Sequence, residues 1–218
     1  GKQVILAIET ADSGLAFVLE LNEQGRPQTG IKMKDGSWTT IALPESIRTR
    51  SWGYIWAACS QASGTISLGY SQREASPTKT ITFQGPTALC CESVETITVA
   101  GTNQSNESMH FNGKLERPTV YAECFEPEPF SNVGTLGNAS LFASWDFSIG
   151  MSSSHITDVS TNRFDGILKN YPARAMTGSN WDGSEMCWKH NPNQYGAIHF
   201  HEDDIYDFEW ETDFSFTV

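Results

Sequence analysis

Short apolar stretches separated by turn residues run the length of this chain, and helical spacing is nowhere sustained. Runs rich in β-branched and aromatic residues recur at 14–22, 31–33, 52–58, 65–70, 80–83 and 95–100. Strands at that spacing predict an all-β fold, an antiparallel β-sandwich. The run Leu15-Ala16-Phe17-Val18-Leu19-Glu20-Leu21 is almost continuously apolar, as expected of a strand covered on both faces. Thr65-Ile66-Ser67-Leu68-Gly69-Tyr70 alternates and predicts one wet face. Asn22-Glu23-Gln24-Gly25 and Lys34-Asp35-Gly36-Ser37 supply the Asx and Gly residues that tight turns require where φ becomes positive, so consecutive strands should form hairpins. Trp52, Trp56 and Trp145 lie in apolar runs and read as core.

The pattern breaks between 124 and 140, where Pro127, Pro129, Gly134 and Gly137 interrupt any periodicity. This stretch reads as a linker or crossover between the sandwich strands of 1–123 and a loop-rich β segment, 141–218, that packs on or completes the sandwich. The second segment is rich in Ser, Asn, Gly and Pro, yet Trp145, Trp181, Trp188 and Trp210 give it ordering contacts. Its last residues, Asp213-Phe214-Ser215-Phe216-Thr217-Val218, alternate as a strand without a following turn, as in a chain cut from something longer.

Charge narrows the partners. A net charge of −12 over 218 residues and a pI near 4.7 oppose phosphate backbones and anionic lipid surfaces, so neither nucleic acid nor membrane is expected. No stretch approaches the ~18 apolar residues of a membrane span. The five cysteines, Cys59, Cys90, Cys91, Cys124 and Cys187, are odd in number and lack CxxC spacing. They read as free thiols of a reducing compartment, hence a cytoplasmic location. Sequons beginning at Asn103, Asn106 and Asn138 pull the other way, although Asn- and Ser-rich sequence generates such triplets by chance.

Several motifs resemble laminin-G and concanavalin-A-like jelly rolls. Gly14-Leu15-Ala16-Phe17-Val18-Leu19 followed by Gly25 looks like such a module's hairpin, 50–58 like its tryptophan strand and 111–118 like its closing strand. Trp145-Asp146-Phe147-Ser148, Thr157-Asp158-Val159-Ser160 and Asp165-Gly166-Ile167-Leu168 look like an opening that comes second, implying a permuted module or first strands upstream of Gly1. Trp145-Asp146-Phe147-Ser148, the stretches 172–181 and 195–204, and Trp210-Glu211-Thr212-Asp213-Phe214 resemble the large (beta) subunit of bacterial N,N-dimethylformamidase. That resemblance implies a parent amidohydrolase that cleaves small formamides with a mononuclear iron held by tyrosines and a glutamate in a later domain. It also implies that the remaining domains or subunits are partners in a homo- or hetero-oligomer. No residue here matches that downstream site. The chain is therefore expected to be a non-catalytic, accessory sandwich with no cofactor of its own.

Three local features compete with that expectation. In Ile198-His199-Phe200-His201, alternation sends both imidazoles to one face, about 7 Å apart at Cα. With Asp203 or Asp204 they would complete a two-histidine, one-carboxylate set for iron or zinc. Two histidines that simply pin an irregular loop explain the same residues. Seven carboxylates from 202 to 213, with no Lys or Arg among them, suggest a calcium site or, equally, a solvated acidic edge. Trp38, Trp181 and Trp188, beside turn residues, could form a stacking platform, and the alternative function is a carbohydrate-binding module of lectin type with Trp181 and Trp188 as its ligand or interface residues. A G-x-S-x-G elbow is absent and Cys59 reads as a small buried hydrophobe, so covalent catalysis finds no support.

Overall fold

A computed structural model describes residues 1–49, 52–71, 78–91, 93–102, 109–124, 141–147, 149–150 and 153–169, with the backbone of 188–190 and 196–198. The chain divides into two compact units, Gly1–Arg174 and Ala175–Val218. In the first, β1 (Gln3–Thr10), β2 (Gly14–Leu21), β3 (Pro27–Lys32) and β4 (Trp38–Ala42) follow one another as antiparallel hairpins, and β8 (Val94–Val99) joins the free edge of β1 in the order β4-β3-β2-β1-β8. A second antiparallel sheet holds β5 (Tyr54–Ser60), β6 (Thr65–Ser71) and β7 (Thr78–Thr82). The short helix α1 (Ala88–Cys91) precedes β8.

The turns form for the reasons their sequences give. Asn22 Oδ1 accepts from the amides of Gln24 and Arg26 at 3.0 and 3.1 Å, and Gly25 takes φ +71°, which costs a residue without Cβ nothing. Asp35 Oδ1 accepts from the Ser37 hydroxyl at 2.6 Å and amide at 2.9 Å, and those two bonds hold its carboxyl below the usual range. The first hairpin thus fixes the register of β2 against β3 and the second that of β3 against β4, which puts alternate residues of the three strands on the same face.

The two sheets meet in one core. Phe17, Leu19, Leu21, Ile31, Met33, Ile41 and Leu43 from the first pack on Ile66, Leu68 and Phe83 from the second. Ile31, Ile66 and Leu68 are fully buried, each stabilising the sandwich by about 1.5–3 kcal/mol. The expected all-β antiparallel sandwich is therefore what these residues build, with β2 as an inner strand. A four-stranded sheet extends it, formed by β9 (Thr119–Tyr121), β10 (Leu141–Asp146), β11 (His155–Asp158) and β12 (Gly166–Ile167) in the order β12-β11-β10-β9. Its buried Trp145 and Ile156 pack with Ile97 and Val99 of β8. As predicted, Trp145 is core, 7% exposed, and its indole N–H donates to the Phe164 carbonyl at 2.8 Å.

Three local expectations differ from the structure. The polar face of β6 is not wet: Ser67 is buried and shares a 2.7 Å hydroxyl bond with Thr80, and a side chain on Gly69 would overlap the Trp56 indole lying across it. Trp56 is accordingly half-buried on the face turned away from the core, and Trp52 is half-buried too. Ile55, Ala57 and Cys59, the other parity of β5, fill the core side instead. Finally, 111–118 form no strand. Phe111 folds back over Gly113, Arg117 takes φ +46° before Pro118, and pairing resumes only at Thr119, where β9 meets β10 through Tyr121↔Leu141 and Val120↔Ala143. Residues 125–140 lie outside the described residues. In the second unit, β13 (Trp188–His190) and β14 (Gly196–Ile198) form a hairpin with Trp188 opposite Ile198.

Candidate functional site

The five-stranded sheet turns one face to the core, and its other face carries a groove of ≈ 340 Å³. Strand register determines what lines it. Thr40, Gly30, Val18 and Ala7 form one cross-strand row, and Ala42, Gln28, Glu20 and Val4 the next. Neighbouring strands are about 4.8 Å apart and successive same-face rows about 7 Å apart. These side chains therefore converge on one patch although they are far apart in sequence.

Two features define the patch. The first is Trp38, 42% exposed at the start of β4. A Cβ on Gly30 would meet its ring carbons Cε3 and Cζ3 at 3.2 and 3.4 Å, so one edge of the indole rests on the glycine floor while the rest of the ring stays accessible. The second is Glu20, only 4% exposed although charged. Its Oε1 accepts from Gln28 Nε2 at 2.6 Å and lies 3.5 Å from the half-exposed Lys2 ammonium. A buried carboxylate is tolerated when a cation and a hydrogen-bond donor compensate its lost hydration, and Lys2 and Gln28 supply both. Val4, Leu15, Val18 and Met109 make the apolar wall. On the same face Glu9, opposite Leu15 in register, is 8% exposed, and its Oε1 is buried with no hydrogen-bond partner.

A different carboxylate organises the four-stranded sheet. Asp158, fully buried, accepts from the Ser144 and Ser160 amides through Oδ1 at 2.8 Å each. Its Oδ2 accepts from the Ser160 hydroxyl at 2.7 Å and the Phe164 amide at 2.8 Å. Burial pushes this carboxyl up, but the four donors outweigh it and hold it below the usual range. All its acceptor sites are used inward, so it is a cross-brace of the β11–β12 connection.

Of the residues singled out from sequence, His199, His201, Asp203, Asp204 and Trp181, with the acidic run of 202–213, lie outside the described residues. Trp188 is placed by backbone only, in β13. Trp38 is the stacking candidate whose side chain is described, and it lines the groove. Among the described residues no group of three or more His, Cys, Asp or Glu converges as such a metal site requires. Also among the described residues, no helix is long and apolar enough to cross a membrane. Among the described residues Cys59, Cys90 and Cys91 are free thiols. Burial, then the nearby Cys90 and Cys124, push the Cys59 thiol up to about 12, which fits a packed hydrophobe rather than a nucleophile.

Glu20 was missed because it sits in an apolar run. The signal was there: a carboxylate between Leu19 and Leu21 in a strand buried on both faces must find a partner, although which partner depends on pairing with Gln28 eight residues on.

No protein-family model matches the chain. Over 117 residues, half of its length, it is 41% identical to the N,N-dimethylformamidase beta subunit of Alcaligenes sp and 39% identical to that of Paracoccus aminophilus. In each case it spans 15% of the relative's length. Half of this chain is thus related to the beta subunits of N,N-dimethylformamidase, of which it corresponds to a small part.

Proposed function

We propose that this chain is an accessory β-sandwich of an N,N-dimethylformamidase-like amidohydrolase. In this reading the parent protein cleaves small formamides to amine and formate, and iron is held by residues outside this chain. The sandwich contributes contacts to the remaining domains or to a partner subunit, as a relative named a beta subunit would. The single observation that carries the reading is the 39–41% identity to two such subunits over half the chain. The chemistry of the described side chains is compatible with it. Glu20 and Asp158, the two buried carboxylates with described partners, are both engaged in holding strands and loops together, and burial pushes the Cys59 thiol up to about 12. The laminin-G or concanavalin-A type of the sandwich belongs to the same proposal, supported by two antiparallel sheets closing on one core. The test is hydrolysis of N,N-dimethylformamide by the purified chain alone, for which no dimethylamine release is expected.

A further inference from the structure

We propose that the groove on the five-stranded sheet is a binding site for a neutral polyhydroxylated ring, a saccharide unit, with Trp38 as its stacking surface and the Glu20–Gln28–Lys2 chain as its polar end. This goes beyond the accessory role, which assigns the groove no ligand.

The floor of the groove is flat because it is a sheet face with glycine at its centre. Gly30 leaves room for the Trp38 indole to lie over the strand instead of standing up from it, and Trp38 remains 42% exposed. An indole held in that way presents a rigid apolar plane at little conformational cost, suited to the C–H face of a sugar ring. One row away, Glu20 and Gln28 are planar groups fixed by their 2.6 Å hydrogen bond. Together with the Lys2 ammonium and the exposed Thr40 they mix acceptors and donors within one or two strand spacings of the ring. A few convergent polar groups beside an apolar surface are the usual composition of a small-molecule site.

Charge selects the ligand class. The Glu20 carboxylate faces Lys2 at 3.5 Å, so the pair is balanced. A cationic ligand would have to displace Lys2, and an anionic one would meet both Glu20 and the −12 net charge of the chain. A neutral ligand rich in hydroxyls suffers neither penalty.

The experiment is calorimetric titration of the full 218-residue chain with maltotriose, cellotriose, mannotriose and chitotriose, up to millimolar concentrations. Saturable binding of at least one is expected. Trp38→Ala should weaken it roughly tenfold or more. Gly30→Ala, whose methyl would press on the indole at 3.2 Å, should weaken it by a smaller factor. Tyr54→Ala, which removes an exposed aromatic on the other sheet, should leave it unchanged, and circular dichroism will show whether each variant retains its sheet signal. The proposal is overturned if none of the four sugars binds, if binding survives Trp38→Ala, or if Tyr54→Ala weakens it equally.

Discussion

Asp158 offers the most quantitative check on how this fold holds together. The Asp158→Asn substitution keeps size and shape but replaces one acceptor oxygen with an NH₂ group. Each carboxylate oxygen accepts two bonds at 2.7–2.8 Å. Whichever way the amide turns, its NH₂ must face two donors, the Ser144 and Ser160 amides or the Ser160 hydroxyl and Phe164 amide. At least one backbone N–H is left buried without an acceptor. Bonds to a charged group contribute about 1.5–3 kcal/mol each and an orphaned buried donor costs about 1–3 kcal/mol, so Asp158→Asn should destabilise the first unit by about 3–4 kcal/mol. Asp158→Ala should cost about 3–5 kcal/mol. Urea unfolding followed by near-UV circular dichroism measures the difference. Its pH dependence follows from the sign of the shift. The folded carboxyl is held below its ordinary value, so its contribution is full above the unfolded pKa of about 3.9 and is lost as pH falls through the folded value. The gap between wild type and Asp158→Asn should therefore be constant near neutrality and shrink only below about pH 4. A penalty under about 0.5 kcal/mol, the size expected of an ordinary surface change, would refute the brace.

Other predictions are briefer. Gly69→Ala places a methyl in the Trp56 indole and should cost about 1–3 kcal/mol. Thermal unfolding should show the drop, and the same change in a Trp56→Ala background should cost nothing, so an equal loss in both backgrounds would break the argument. In an iodoacetamide time course near neutral pH read by mass spectrometry, the exposed Cys90 and Cys91 should label before Cys59, whose thiol is pushed up to about 12. Labelling of Cys59 at their rate would contradict its burial.

How far the sequence reached depends on the range of the forces involved. Hairpins were legible because their causes are local: Asn22 and Asp35 fold onto amides two to four residues away, and the β2 run announces an inner strand. The covered face of β6 was not, because Ser67 is buried by Thr80 thirteen residues on and Gly69 by Trp56 thirteen residues back. Alternation alone treats a hydroxyl as a sign of water. The groove was half legible. Trp38 could be picked out beside its turn, but Glu20 joins it only through the β2–β3–β4 register, which sets Glu20 opposite Gln28 and Gly30 opposite Thr40. Asp158, within a motif read only for its resemblance, needed the fold to bring Ser144 and Phe164 to it. His199, His201, Asp203 and Trp181 fall outside the described residues.

In the role proposed for it, this sandwich serves an amidohydrolase without performing its chemistry. Dimethylamine release from N,N-dimethylformamide by the purified chain, with and without added ferrous or ferric iron, tests it most directly. Release should be no faster than in the protein-free control under every condition. Catalytic turnover by the chain alone, whether iron-dependent or not, would contradict it.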